Sequence, residues 1–551
     1  MLGNLLGKFY PRKLFCNAFI YGCRNLFVKK MRGNFHLTVQ GDKNICVTSA
    51  IIRKKERKME DTNSLIQIRI NKIEQIRGMG FNPFPYKFNA TDFSQDIKRD
   101  FDSSAQPKQV SAAGRLMAIR GMGKAGFCVI QDKQGRIQLY VSEKNIGEKS
   151  YAMFKLLDIG DIIGVTGTVQ ATKTGETTIF AESLTLLSKN IRPLPIVKEK
   201  DGEIYDGFAD KELRYRNRHV DLIVNPEAKD TFIKRIKIIS HVKKILDAKN
   251  FYEVETPILQ PVYGGAAASP FTTHHNALDM KLYLRISLEP YLKRLIVGGL
   301  DRVYEIGKCF RNEGIDRTHN PEFTLLELYQ AYGDYEDMMR ITEEIFEQTA
   351  IAVNGGTKVN FGGAEIDLKT PWKRIKMTDG LKEIAGIDVE TMSDEELSNA
   401  VKANRGELKG EFNRGLAIAE LFELLVEDKL VQPTFVTHQP VETTPLCKPD
   451  YDDPRYLQRF ELFIGGAEFA NAYSESNDPV FQRKTLYEQS LRREIDEEAP
   501  PMDENFVEAI EVGMPPTGGL GIGIDRLVIL LTQSPSIRDA LLFPTMKPEA
   551  E

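Results

Sequence analysis

Cysteine is scarce: of 551 residues only six are Cys, at positions 16, 23, 46, 128, 309 and 447. No two of them form a C-x-x-C pair. That spacing supports neither a zinc knuckle nor a disulfide framework, and it points to a reduced compartment. No run approaches the roughly 18 apolar residues that a membrane-spanning helix needs. Neither sign of charge is in excess. The 74 Lys and Arg against 78 Asp and Glu leave a net charge of −4, so the chain as a whole is drawn to neither nucleic acid nor a membrane. Internal repeats and low-complexity tracts are missing. Acidic residues are absent before Asp42, where Lys8, Arg12, Lys13, Arg24, Lys29, Lys30 and Arg32 all fall. The body that follows is correspondingly acidic, and any nucleic-acid contact in it has to be a local patch.

The length calls for two or three domains. Residues 1–58 form a basic leader, disordered or untranslated, with the working start at Met59. Its acid-poor composition fits a transit peptide, but it holds no serine before Ser49. Residues 59–104 open with an amphipathic helix over 62–79, in which Ile66, Ile70 and Ile73 fall at i, i+4 and i+7. Gly80, Pro83 and Pro85 stop it. Over 105–190 the period changes to short alternating runs with turns such as Gln134-Gly135 and Thr174-Gly175, interrupted by "EKSYAMFKLL". Three strands, a helix and two strands predict a five-stranded barrel of the oligonucleotide-binding type. A charged linker spans 191–225, helical in its second part. Residues 226–551 predict an antiparallel sheet backed by helices, with a helical insertion over 370–432. The fold class is α+β, multidomain.

The large domain carries the chemistry. In "FTLLELY" alternation puts Phe323, Leu325, Glu327 and Tyr329 on one face, a poor core face and a good pocket floor. "FRNEG" puts Arg311 and Glu313 on one face of a neighbouring strand, followed by the loop "IDRTHNPE". Arg suits a phosphate because its fork makes two parallel charge-assisted hydrogen bonds. In "RFELFIGGAEFANAYSESND", Glu461 ends one strand and Glu468, Asn471 and Glu475 lie on the next run. These acids have apolar neighbours and no matching cation, and such hard oxygen ligands suit Mg²⁺. In "TGGLGIGIDRLVILL", Gly518, Gly519, Gly521 and Gly523 allow turns and close backbone approach, and Arg526 opens an apolar helix. Taken singly, each has an ordinary reading: a solvated strand face, a surface ion pair, a plain turn. Together they describe a nucleotide–Mg²⁺ site beside a pocket for something positive.

"VETPIL", "FRNEG…HNPEFTLLELY" and "GLGIGIDRLVIL" resemble motifs 1, 2 and 3 of the class II aminoacyl-tRNA synthetases. With "LRYRNRHVDLI", "YLKRLIVGGLDRVYEIGKCFRNEGID" and "SIRDALLFP" they are similar to the bacterial type of the lysine–tRNA ligase family, over roughly Asp61 to Pro548. The resemblance implies ATP-dependent attachment of L-lysine to tRNA through a lysyl-adenylate, with up to three Mg²⁺ per subunit. It implies a cytoplasmic homodimer joined around Pro257, or an organellar protein if the leader is a transit peptide. It assigns the α-phosphate and carboxylate to Arg311, and adenine stacking to Phe323 below and Arg526 above. Further ATP contacts fall to Asn312, Glu313, His319, Asn320, Glu461 and Gly523, and metal binding to Glu461 and Glu468. Gly265 and Glu289 would hold the lysine α-amine, Asn471 its carboxylate, and Glu327, Tyr329 and Glu475 its ε-ammonium. On the barrel, Phe127, Arg120 and Gln138 would read the anticodon. The alternatives are a related Asp or Asn synthetase, a modifier of protein lysines, and a non-catalytic RNA-binding paralog.

Overall fold

A computed structural model describes residues 63–104, 106–195, 208–408, 410–491 and 500–549 (Met122 by its backbone only), and the backbone of short strands at 26–31, 34–39, 198–200 and 203–205. The chain divides into two compact units, Met1–Pro195 and Ile196–Glu551.

In the first unit, Leu26–Met31 pairs antiparallel with Asn34–Val39, so the leader, expected without a fold, carries one two-stranded ribbon. The rest of the leader, with the start at Met59, lies outside the described residues. Helix α1 (63–78) is present. Its anchor is Ile76, fully buried in the barrel's core, whereas Ile70 of the expected stripe is exposed. Polar ties turn the helix: Lys72 Nζ lies 2.7 Å from Asp158, and Arg69 donates to the Asn190 carbonyl at 3.3 Å.

The expected barrel forms from β1 (Gln109–Met122), β2 (Ala125–Gln131), β3 (Arg136–Ser142), β4 (Ile162–Ala171) and β5 (Thr177–Ser188), closed in the order β1-β2-β3-β5-β4. Helix α2 (Glu148–Phe154) precedes β4 and buries Tyr151, Met153 and Phe154. Period-two alternation sends Cys128, Ile130, Ile137, Leu139 and Val141 into the core. Phe127, Gln138 and Tyr140 take the opposite face.

The second unit is built on an eight-stranded sheet. Helix α3 (Pro226–Ala248) leads into β6 (Tyr252–Glu253), helix α4 (Glu289–Val297), β7 (Arg302–Phe310), β8 (Glu322–Ala331) and helix α5 (Tyr335–Asn354). Then come β9 (Lys373–Lys376), β10 (Thr434–Thr437), β11 (Arg459–Ile464), β12 (Ala467–Ser474), β13 (Thr517–Gly523) and helix α6 (Ile524–Thr532). The order is β6-β7-β8-β13-β12-β11-β10-β9, antiparallel except for the two outermost pairs. One face meets helices: Leu326, Leu328, Leu520, Ile522, Ala470 and Leu462 pack with Ile238, Val242, Ile345, Phe346, Leu527 and Leu531. Helix α6 is apolar nearly all round because it is enclosed nearly all round. Helix α5 starts on an Asp334–Asp337 capping box. The stretch 370–432 opens with edge strand β9, then turns helical around its own core of Leu381, Leu397, Leu421 and Phe422.

Candidate active site

The other face of the sheet is the site, and strand register builds it. Glu327 stands opposite Gly521, Gly521 opposite Asn471, and Asn471 opposite Glu461. The neighbouring row reads Tyr329, Gly519, Tyr473, Arg459. Both rows cross β8, β13, β12 and β11. Because β13 contributes glycine to each row, the middle of the sheet has no side chains on this face, and a trough runs between two walls. The glycines, expected to serve turns or close backbone approach, lie on a strand. Their role is the missing Cβ: one built on Gly519 would sit 1.9 Å from Glu475 Oε1.

The trough belongs to a cavity of about 520 Å³. Its lining brings together Gly265, Glu289, Arg311, Glu313, His319, Asn320, Phe323, Glu327, Tyr329, Glu461, Glu468, Asn471, Glu475, Gly523 and Arg526. Asn312 does not line it; its backbone N–H donates to the Ser269 carbonyl at 2.8 Å. Strand β7 stops at Phe310, so Arg311 and Glu313 follow the strand rather than lying on it. The Arg311 amide turns to the Pro321 carbonyl at 2.9 Å. Its guanidinium stacks 5.2 Å from the Phe323 ring, and its buried Nε has no hydrogen-bond partner among the described residues.

The loop after β7 is ordered by Asp316, a residue sequence reasoning passed over. Its carboxylate accepts from the Thr318 and His319 amides at 2.6 and 2.7 Å and faces His319 Nδ1 at 2.7 Å. His319 Nε2 is 3.4 Å from Arg526, which also reaches the Glu468 carbonyl. Asn320 is buried: its amide donates to the Glu322 carbonyl and accepts from the Thr545 amide. Asp525 accepts from the Thr324 amide at 2.7 Å and from Arg235 at 2.6 Å, joining α6, β8 and α3 behind the site.

At one end of the trough lies an acidic pair. Glu461 is the third residue of β11, not its end. Glu468 and Asn471 are three apart and would normally face opposite ways. A bulge between Leu462 and Phe463 of β11 and their partners turns both to the site. Asn471 Nδ2 lies 3.4 Å from both carboxylates. Burial raises the pKa of Glu461; Arg459 opposes this and the Glu468 charge adds to it. The expectation of acids without a cation is corrected here, because Arg459, two residues before Glu461, bonds to its Oε1. Two neighbouring carboxylates facing a cavity, one oxygen of Glu461 held by Arg459, form a donor set suited to a hard cation with open positions for phosphate oxygens.

At the other end, Glu289, Glu327 and Glu475 are all buried. Glu327 accepts from Ser287 Oγ and the Leu288 amide, each at 3.0 Å, and from Tyr329 OH at 3.2 Å. Burial, then the charge of Glu289, push its pKa up to about 7. Burial likewise pushes Glu475 up to about 8, with Lys293 pulling down against Glu289 and Glu327. These glutamates, expected to be unpaired, have an internal cation: Lys293 of α4 pairs with Glu289 at 2.5 Å and with Glu475.

In the first unit, Arg120, Phe127, Tyr140 and Phe180 stand opposite one another across β1, β2, β3 and β5. Ring centroids are 5.2 Å apart for Phe127–Tyr140 and 5.1 Å for Tyr140–Phe180. Gln138 donates to Thr178 Oγ1 at 2.9 Å on the same face. Tyr140 and Phe180 were missed; Tyr140 shares the alternation of Gln138, which was signal enough.

The chain belongs to the class II tRNA synthetases (D, K and N), whose family model matches residues 210–547. Residues 110–187 match an OB-fold nucleic acid binding domain. Similar proteins include the Lysine–tRNA ligase of Thermoanaerobacter pseudethanolicus, 54% identical over 89% of this chain and 97% of that protein. Another is the Lysine–tRNA ligase of Clostridium novyi, 50% identical over 92% and 99%. A third is that of Enterococcus faecalis, 50% identical over 89% and 98%.

Proposed function

We propose that the chain attaches L-lysine to its tRNA in two steps, ATP-dependent formation of a lysyl-adenylate and transfer of the lysyl group to the tRNA. One observation carries the reading. The phosphate-grade Arg311 and the Phe323 ring open onto the same cavity as three buried carboxylates, Glu289, Glu327 and Glu475. Adenine would lie against Phe323, with Arg526 as the opposite, cationic face. Arg311 would hold the α-phosphate and the amino-acid carboxylate, with Asn471 beside that carboxylate. Glu313, His319, Asn320 and Gly523 complete the ATP walls. Gly265 and Glu289 would take the α-ammonium, and Glu327, Tyr329 and Glu475 the ε-ammonium.

The first step needs no nucleophile from the protein. The lysine carboxylate attacks the α-phosphorus in line and pyrophosphate leaves, so the side chains contribute positioning and charge stabilisation. Glu461 and Glu468 would hold Mg²⁺, which when bound neutralises charge on the phosphate oxygens. The terminal hydroxyl of the tRNA then attacks the adenylate carbonyl, loses its proton and forms the ester as the acyl–phosphate bond breaks and AMP leaves. Selectivity follows from burial: an uncharged or shorter amino acid leaves desolvated carboxylates unmatched. Sites that reject in this way reach about 10⁴–10⁵-fold discrimination.

An aspartate or asparagine substrate is disfavoured by a specific observation. An aspartate side chain needs a facing cation, and Lys293 at this end is fully buried, already paired twice and not in the cavity lining, while a neutral asparagine amide would leave the buried Glu327 and Glu475 carboxylates unmatched. The aromatic row of the barrel supports reading of unstacked anticodon bases by Phe127, with Arg120 and Gln138 beside it. Exposed Tyr252, Ile258 and Leu259 flank Pro257, and Ile236 of α3 is exposed too, which supports a homodimer through this region. We assign the enzyme to the cytoplasm, with an organelle as the alternative if the leader is a transit peptide. Among the described residues no helix is long and apolar enough to cross a membrane.

ATP–pyrophosphate exchange measured against each amino acid, without tRNA, tests the assignment. Exchange that follows lysine supports it; exchange that follows aspartate or asparagine but not lysine overturns it.

A further inference from the structure

Lys293 is an unusual lysine. It sits one turn after Glu289 on α4, fully buried, with its ammonium between Glu289 and Glu475 and 5.9 Å from the centre of the Phe506 ring. Burial disfavours its charge, but Glu289 and Glu475 outweigh this and hold its pKa above the ordinary lysine value. It does not line the cavity, while both of its partners do. A lysine that only filled space would be a costly choice there, because a desolvated ammonium needs partners and constrains them.

The charges facing this pair are few. Glu289 shares its helix, Glu327 and Tyr329 come from β8, Tyr473 and Glu475 from β12 and the residue after it, the buried thiol of Cys447 comes from the segment bridged to Glu475, and the helix Glu504–Val512 offers the apolar Phe506. When all three are ionised, the carboxylates and the one ammonium leave two negative charges. Free lysine presents two ammonium groups to this end of the cavity, its carboxylate being matched by Arg311. Without Lys293 the same carboxylates would face one another across a buried space, and repulsion would force protons onto them.

We propose that Lys293 is the positioning residue that sets amino-acid specificity: a built-in counter-cation that fixes the Glu289 and Glu475 carboxylates and trims the pocket to two negative charges. It acts through those two carboxylates and never touches substrate. A neutral residue in its place frees Glu475 to turn or to take up a proton, and the substrate ε-ammonium then meets a misplaced or neutral acid. The inference rests on the lysine reading above, and the experiment separates the two.

The test is ATP–pyrophosphate exchange on the purified full chain with lysine and ATP varied independently, from about pH 6.5 to 9, for wild type, Lys293→Met, Lys293→Arg, Glu475→Gln and the double Lys293→Met/Glu475→Gln. Absence of lysine-dependent exchange in the wild type sinks the proposed function and is independent of Lys293. Given exchange in the wild type, Lys293→Met should raise KM for lysine roughly 100-fold while KM for ATP stays within about 3-fold. The pH at which the lysine KM levels off should move upward, and Lys293→Arg should recover most of the loss. A merely structural role would move both KM values or neither and would leave the pH profile in place; either result overturns the proposal. Should Lys293→Met fail to fold, the double variant decides, because it leaves no unpaired charge at Glu475. It should fold, with a lysine KM no worse than that of Glu475→Gln alone. Additive losses in the double variant refute the coupling.

Discussion

Gly519 and Gly521 lie two apart on one strand and face the same trough, yet alanine should act on them in opposite ways. A Cβ on Gly519 would lie 1.9 Å from Glu475 Oε1 and 2.6 Å from Tyr329 Cε1. The Glu475 carboxylate would have to leave its place beside Lys293. Overpacking of this kind costs about 1–3 kcal/mol, and opening the buried pair adds roughly 3–5 kcal/mol if it separates fully. A Tm fall on the order of 5 °C or more should follow. A Cβ on Gly521 meets only the Asn471 carbonyl at 3.8 Å and Glu327 Cγ at 3.9 Å, ordinary contacts. Neither glycine has positive φ. Gly521→Ala should therefore leave Tm unchanged or raise it slightly, since it removes about 0.4–1 kcal/mol of unfolded-chain freedom. Its methyl enters the space between Glu327 and Asn471, so the overpacking of about 1–3 kcal/mol falls on bound lysine instead of the fold, roughly 5- to 150-fold in kcat/KM. Thermal melts and exchange with lysine varied would read both. Wild-type kcat/KM for lysine in Gly521→Ala, or a melt as low as that of Gly519→Ala, would refute the trough as the amino-acid floor.

The remaining expectations are narrower. Glu327 and Glu475 have pKa values raised to about 7 and about 8 in the protein alone. A bound ammonium lowers both, so lysine binding near neutral pH should release protons and weaken as pH falls below that range. Calorimetry in buffers of different ionisation enthalpy reads this, and a proton count of zero or of opposite sign contradicts it. Phe127→Ala should leave lysine adenylation unchanged and lower kcat/KM for tRNA roughly 5- to 150-fold, the value of a stack worth about 1–3 kcal/mol; equal damage to adenylation would make Phe127 a folding residue. Glu461→Gln and Glu468→Gln should each raise the Mg²⁺ concentration for half-maximal exchange about 10-fold or more. An unchanged Mg²⁺ dependence would remove the acid pair from metal binding.

What could be read from the sequence was what depends on one strand at a time. Phe323, Leu325, Glu327 and Tyr329 share the cavity because a strand has period two, and nothing further was needed. The barrel was legible for the same reason, from alternating runs and turn pairs. The acid pair was only half legible, since a three-residue spacing from Glu468 to Asn471 serves one face only through a bulge that no local signal announces. Arg311 and Glu313 kept the reading of a strand one step too long; the strand ends where the Arg311 amide turns from its ladder to Pro321. The partners were the least legible. Lys293 meets Glu475, and Tyr140 meets Phe180, only because a helix docks on the sheet or because β3 pairs parallel with β5. Such pairings depend on register between distant segments, and one residue of slip would reverse them. That explains why the glutamates looked unpaired. A carboxylate's own neighbourhood in sequence shows its charge, whereas its counter-ion belongs to whichever element is packed against it. The two cations missed as partners, Lys293 and Arg459, each sit at one end of the trough, and each holds a carboxylate that faces the cavity. The acids that the sequence displays therefore owe their aim to bases whose role becomes visible only once the sheet is assembled.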